Sequence, residues 1–269
     1  MTDAKYLGMR PGDLDEKPYA KYWNPKMGSM PSHVQGALMR GVEARELGFE
    51  ITDANRLLDP GYLSLESGQV FVAVLTKMPK VNGKMIDWWF GWNYMEDQRY
   101  KLWHPRAHVS ERAEKMLGDD PNLFDREKYL DNPAYVVEYV GGEALDLVIN
   151  LIDPSHYLDV SRFEEARVGT AICAKCGYTG KGVNFGLLIH LIRETEDGCE
   201  MRSRFWLGDI EVTWLPKKGI LNRIASTKLV AKNAVPLDLG RDMLVHCAME
   251  MNHLASFLPE LYSDYHPAK

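Results

Sequence analysis

The last third of the chain places His246 and Glu250 four residues apart. On a helix that spacing projects both side chains from one face, one turn apart. An imidazole and a carboxylate so placed can share a single metal ion. Leu239, Met243, His253 and Phe257 fall on the same stripe, which predicts an inward-facing surface where an unpaired carboxylate would be costly to desolvate; a solvated His–Glu pair is the alternative. Glu138 is a second candidate, because its neighbours in Tyr135–Val140 (YVVEYV) are all apolar. Alternation puts it on one face with Val136 and Val140. There it needs a metal, an arginine or a proton if the face is interior, and nothing if the strand is an exposed edge. His104 and His108 bracket Pro105 in WHPRAH. Pro105 predicts a local helix start, and one of the two histidines suffices as a ligand. His190 lies in FGLLIHLI with no other ionisable group nearby, and is either a functional imidazole or a buried, hydrogen-bonded structural one.

The elements that must position these residues can be read from periodicity. Residues 1 to about 30 alternate breakers with aromatics (Tyr6, Tyr19, Tyr22, Trp23), an ordered arm packed on something. A helix is expected from Ser32 to Gly48, and a buried strand from Gln69 to Thr76. The segment from Asp87 to His108 holds four of the seven tryptophans, Trp88, Trp89, Trp92 and Trp103. Residues 109 to 134 read as a polar excursion with loops. Strands are then expected at Tyr135–Val140, Leu145–Ile152, Val168–Cys173, Val183–Arg193 and Glu200–Leu207, with a hairpin at Asp197-Gly198. An amphipathic helix over about Leu237–Leu258 closes the chain. The whole predicts an α+β domain, an antiparallel sheet gripping one long C-terminal helix.

The 269 residues carry 32 basic and 38 acidic side chains, a net charge of −6. A phosphate-binding surface would usually be basic, so nucleic acid is not an expected partner. No run approaches the ~18–20 apolar residues of a membrane span. The polar start Met1–Lys5 and the four cysteines predict a cytoplasmic protein with free thiols. Cys173-x-x-Cys176 has no second half at zinc-ribbon spacing. There is no nucleophile elbow, P-loop or dinucleotide fingerprint.

The block Trp88–Val109 (WWFGWNYMEDQRYKLWHPRAHV), the strand with Glu138 and the terminal H-x-x-x-E together resemble the 2,4-diacetylphloroglucinol hydrolase and phloretin hydrolase family. The resemblance runs from about Trp88 to the C-terminal helix, and Arg99 to His108 (R-Y-x-x-W-H-P-x-x-H) is its most specific part. It implies a Zn2+-dependent hydrolase cleaving the carbon–carbon bond between an aryl ring and an acyl carbonyl of a small phenolic ketone. It further implies a helix-grip (Bet v 1-like) catalytic domain over 81–269 and a smaller N-terminal region over 1–80 that serves a homodimer. The zinc ligands it implies are His108, Glu138, His246 and Glu250, with Glu143 the alternative to Glu138. Tyr100, His190 and His104 are the implied catalytic side chains. Trp92 and Trp103, with Trp88 and Trp89, would form an aromatic wall for the phenolic ring. Two departures concern the pocket: the family's Asn after the ligand His is replaced within Val109-Ser110-Glu111-Arg112, and a substrate-facing Tyr by Phe205. Glu111 and Phe205 are therefore expected to contact substrate, with Phe205 favouring a longer, phloretin-like acyl tail. A non-catalytic binder of phenolic or apolar ligands, and a metal-dependent hydrolase of other ketones or esters, are the competing readings.

Overall fold

The computed structural model describes residues 17–25, 27, 61–216, 219, 227, 230 and 235–266. The helix expected after Ser32 lies outside them. Eight strands form one antiparallel sheet: β1 (Gly61–Ser64), β2 (Val70–Pro79), β3 (His108–Ala113), β4 (Ala134–Val140), β5 (Glu143–Ile152), β6 (Val168–Tyr178), β7 (Val183–Thr195) and β8 (Gly198–Val212). Their spatial order is β1-β2-β8-β7-β6-β5-β4-β3. Between β2 and β3 come helices α1 (Gly83–Trp92) and α2 (Asp97–Trp103); α3 (Asp125–Tyr129) precedes β4, and α4 (Leu237–Tyr265) ends the described chain.

Local sequence accounts for most of this. The strands that face the helix bury every second residue, as in Cys199, Met201, Ser203, Phe205 and Leu207 on β8, all apolar except Ser203. The expected β7–β8 hairpin forms at Asp197-Gly198. Gly198 has φ 150°, and a Cβ there would lie 2.4 Å from the Met78 carbonyl oxygen, so only glycine fits. Helix α4 packs chiefly on β2 and also touches β1, β4, α1 and α2. Gly240 permits this approach, since a Cβ at that position would sit 2.5 Å from Val70 Cγ1. The buried stripe of α4, including Leu244, Met251, Leu254, Leu258 and Leu261, supplies one side of the core. The result is the expected helix-grip arrangement.

Four expectations are revised. Residues 109–134 contain strand β3 and helix α3 as well as loops, because β3 is added to the edge of β4 and gains ladder hydrogen bonds despite its polar sequence. Pro105 does not start a helix; α2 ends at Trp103 and His104 caps it at φ −132°, ψ 82°, the extended bias expected of a residue before proline. The sheet begins at Gly61, so the 80/81 boundary leaves two of its strands on the N-terminal side. Tyr19 and Tyr22 are covered within this chain, by Trp92 and Tyr265 and by Phe257 respectively, so they create no demand for a second subunit.

The tryptophans also depart from the expected wall. Helical periodicity sends Trp88, Trp89 and Trp92 into a cluster with Tyr262, Phe257 and Tyr265, and the Arg99 guanidinium lies 4.1 Å over Trp92. Among the aromatic residues of this block, Phe90, Tyr94, Tyr100 and Trp103 line the interior cavity. Leu254, fully buried against this core, should lose about 2–5 kcal/mol of stability on replacement by Ala; urea unfolding followed by tryptophan fluorescence measures it.

Candidate active site

A cavity between the sheet and α4 is lined mainly by apolar side chains from β4 to β8, including Leu147, Ile172, Leu188 and Phe205, with Leu239 and Met243 from the helix. Its charged end is built by three elements. Strand pairing sets His108 on β3 directly opposite Glu138 on β4, and the helical four-residue spacing stacks His246 and Glu250 on α4. His108, His246 and Glu250 bring ligand atoms within 4.8 Å of one another. His108 Nε2 lies 3.4 Å from Glu250 Oε2 and 3.7 Å from Glu138 Oε2. His246 Nε2 lies 3.7 Å from Glu250 Oε2 and 3.9 Å from Glu138 Oε2. Glu143, the alternative to Glu138, is exposed at the start of β5.

The imidazoles are oriented for this convergence. His108 Nδ1 donates to the Tyr100 carbonyl at 3.0 Å and His246 Nδ1 to the Tyr139 carbonyl at 2.9 Å. Each bond fixes the tautomer and turns Nε2 toward the carboxylates, the usual outer support of a metal-binding histidine. His108 Nε2 is buried and has no hydrogen-bond partner. Burial, with His104 and His246 nearby, holds the His108 pKa well below the usual imidazole range. Burial and Glu138 push the Glu250 carboxyl well above its usual range. Burial thus opposes charge on both His108 and Glu250. A divalent cation would stabilise the ionised carboxyl, and separations of 3.4–3.9 Å are close to the ~3.4 Å between donors held ~2.1 Å from one zinc ion. The donor set of His108, His246 and Glu250 fits such an ion, and Glu138 lies beside it.

Tyr100 stacks on the His108 ring at 3.7 Å and its hydroxyl donates to Glu138 Oε2. Burial, then Glu138, raises the Tyr100 pKa well above its usual value, so the phenol stays protonated. His190 lines the cavity, its Nδ1 paired with Ser203 Oγ at 2.7 Å; burial lowers its pKa to about 3. Phe205 and Glu111 line the same cavity, whereas Trp92 does not. His104 stacks on His246 at 4.9 Å and is absent from the cavity lining. Burial first, then His246 and His253, lowers its pKa to about 2, and its stacking places it behind the His246 ring rather than in the cavity. Sequence reasoning missed Asn93, Tyr94, Cys176 and Ser203. Of these, Asn93 carried a signal as a lone amide in an apolar aromatic run, and Cys176 stood out only as half of a C-x-x-C pair. Cys173 and Cys176 lie on an extended strand three positions apart, so they face opposite sides of the sheet, Cys176 alone toward the cavity. That excludes a shared metal for the pair.

Fold and site together define a helix-grip protein whose interior cavity ends in a histidine–carboxylate cluster of metal-ligand composition. The chain belongs to the 2,4-diacetylphloroglucinol hydrolase family: the model described as "DAPG hydrolase PhiG domain" matches residues 47–263. It is 32% identical over 263 residues to the 2,4-diacetylphloroglucinol hydrolase of Pseudomonas protegens, covering 93% of this chain and 85% of that protein. It is 26% identical to the phloretin hydrolase of Eubacterium ramulus, covering 96% and 94%. Among solved structures, norcoclaurine synthase from Thalictrum flavum, in complex with dopamine and hydroxybenzaldehyde, aligns with a TM-score of 0.36 at 12% identity, over 75% of this chain and 91% of that one.

Replacing Glu250 with Gln removes one of the two charges that a cation would balance. The variant should bind zinc at least ~10-fold more weakly, with the fold retained. Elemental analysis after dialysis against a competing chelator, alongside circular dichroism, measures both; full zinc retention would exclude Glu250 as a ligand.

Proposed function

We propose that this chain is a zinc-dependent hydrolase that cleaves the aryl–acyl carbon–carbon bond of acylated phloroglucinols. The observation that carries the reading is the convergence of His108, Glu138, His246 and Glu250, with the Tyr100 hydroxyl among them, at one end of an apolar cavity. Membership of a family whose named relatives are hydrolases of diacetylphloroglucinol and phloretin supports the substrate class.

The reaction adds one water across the bond: the acyl carbon gains hydroxyl and leaves as a carboxylic acid, and the ring carbon gains a proton. A ring carbanion is a poor leaving group. Ortho hydroxyls overcome this, because the ring can take up a proton at the acyl-bearing carbon as its keto tautomer. Water then adds to the acyl carbonyl, and the electrons of the breaking carbon–carbon bond return to the ring oxygen as the phenol re-forms. His108, Glu138, His246 and Glu250 would hold zinc, which supplies Lewis acidity and lowers the pKa of water toward 7. Tyr100, kept protonated, donates a hydrogen bond to a ring or acyl oxygen. His190 is neutral, and its Ser203 contact leaves Nε2 as the nitrogen available to hydrogen-bond a ring hydroxyl. Apolar walls exclude bulk water and seat the flat ring. Phe205 offers apolar surface to the acyl tail, which supports a phloretin-like substrate.

A homodimer formed through the N-terminal region is part of the proposal. The family resemblance supports it, not the aromatics at 19 and 22, and light scattering should read twice the 30.7 kDa of one chain. Four free cysteines support a reducing, cytoplasmic setting.

Incubation with phloretin, diacetylphloroglucinol or monoacetylphloroglucinol should release a less acylated phloroglucinol and a carboxylic acid, with kcat/KM ranking the three. Binding without cleavage by the zinc-loaded protein would favour a ligand-binding role instead. Tyr100→Phe should lower kcat about 100-fold or more, the usual cost of one lost transition-state hydrogen bond, and leave zinc content unchanged. Turnover within twofold of the parent would remove Tyr100 from the mechanism.

A further inference from the structure

The cavity runs along α4, and its two walls change character in the same order. On the helix, Leu239, Met243, His246 and Glu250 all line it. By the helical rise, Met243 stands about 5 Å along the axis from His246 and Leu239 about 10 Å. The sheet opposite is in step. The turn at Gly240 lies over β2, where a Cβ would meet the Val70 and Val72 side chains. Val70 pairs with Leu207 and Val72 with Phe205 on β8, and these pair in turn with Gly186 and Leu188 on β7. Further along the helix Cys247, the neighbour of His246, hydrogen-bonds Ser203, whose partner across the ladder is His190. Both walls therefore pass from apolar side chains at Leu239 to polar ones at His246.

The remaining polar groups lie at the cluster or beyond it. Helix α2, which carries Tyr100, meets α4 past Glu250, where His253 Nδ1 donates to the Trp103 carbonyl at 2.9 Å. Glu111 enters the cavity from β3, and Asn93, whose Oδ1 is buried without a partner, from the turn between α1 and α2. Among the described lining residues on the Leu239 side, only the Met243 thioether and the thiol of Cys176, paired with Gly186, carry a heteroatom. A molecule with one hydroxylated and one apolar end thus has a single favourable orientation here. Turned the other way, it would bury its hydroxyls against a wall without acceptors and its apolar end against unpaired polar groups.

We propose that the stretch from His246 to Leu239 seats the acyl tail of the substrate, and that Met243 and Leu239 set the preferred tail at about eight carbons, the reach of an extended octanoyl chain. This rests on the hydrolase reading and deepens it, naming long-chain acylphloroglucinols over acetyl ones. Each methylene moved from water onto this wall should raise kcat/KM about two- to fourfold. The gain ends where the chain passes Leu239, which is half-buried in the first turn of α4. The phenylpropanoyl tail of phloretin spans a similar length.

The test is kcat/KM of the zinc-loaded protein for monoacylphloroglucinols with unbranched acetyl, butanoyl, hexanoyl, octanoyl and decanoyl tails, each below its micellar concentration. All share one ring and one scissile bond. Octanoyl should exceed acetyl at least ~50-fold, and decanoyl should gain no more than about twofold over octanoyl. Leu239→Trp fills the far end of the stretch and should cut the octanoyl-to-acetyl ratio at least ~10-fold. Met243→Gln keeps the shape but puts an amide against the tail, and should cut it at least ~5-fold. An octanoyl-to-acetyl ratio below about threefold in the native protein would overturn the proposal. So would an equal loss for every tail in a folded Leu239→Trp variant, which would put the ring at Leu239 instead. Should neither variant fold, the native series decides by where its gain stops: at octanoyl it sustains the assignment, at butanoyl it overturns it. If no ketone is cleaved, the hydrolase reading fails, and calorimetric affinities for the same series decide the seat. Octanoyl binding at least ~10-fold tighter than acetyl would sustain it, and equal binding would overturn it.

Discussion

His108, His246 and Glu250 converge in a desolvated cavity with Glu138 beside them, and any charge on their carboxyls must be met there by a cation or a proton. Glu138 and Glu250 both approach His108 Nε2 and His246 Nε2. Both imidazoles turn Nε2 toward the carboxyls because Nδ1 donates to a backbone carbonyl, and burial opposes a second proton on His108. Removing charges from water costs several kcal/mol per ion unless they are paired. A cation answers that demand, and the rest of the architecture can be understood as what brings these four side chains to one point.

The antiparallel sheet and the gripped helix each contribute two of them by their own periodicity. Pairing of β3 with β4 fixes His108 against Glu138, and one helical turn fixes His246 against Glu250. The packing of α4 on the sheet, close enough that Gly240 cannot carry a Cβ, then sets the distance between the pairs. The aromatic cluster of Trp88, Trp89 and Trp92 with residues of α4 holds α1 in place. That in turn seats α2, whose Tyr100 carbonyl orients His108. Packing that never touches the cavity thus governs the geometry of its polar end.

Much of this was legible in the sequence, for reasons that differ by residue. His246 and Glu250 follow from a spacing of four on an apolar stripe, and Glu138 from strict alternation in an apolar strand. His108 could be preferred over His104 only through family resemblance, because the turn at Pro105 that separates their directions depends on tertiary packing. Strand β3 was hidden because an edge strand can be polar and still gain its ladder from a neighbour. The tryptophans misled because clustering in sequence says nothing about which helix face meets the cavity; here the face carrying Phe90 does. Asn93 was overlooked because an amide in an aromatic run looks structural until its acceptor is found without a partner.

The central claim is that two imidazoles and two carboxylates hold one metal ion, and X-ray absorption at the zinc edge of the zinc-loaded protein tests it most directly. The account predicts a first shell of nitrogen and oxygen alone at about 2.0–2.2 Å, with the outer scattering of two imidazole rings. A sulfur neighbour at about 2.3 Å, which would draw in Cys176 from the cavity wall, or scattering from a single imidazole, would contradict it.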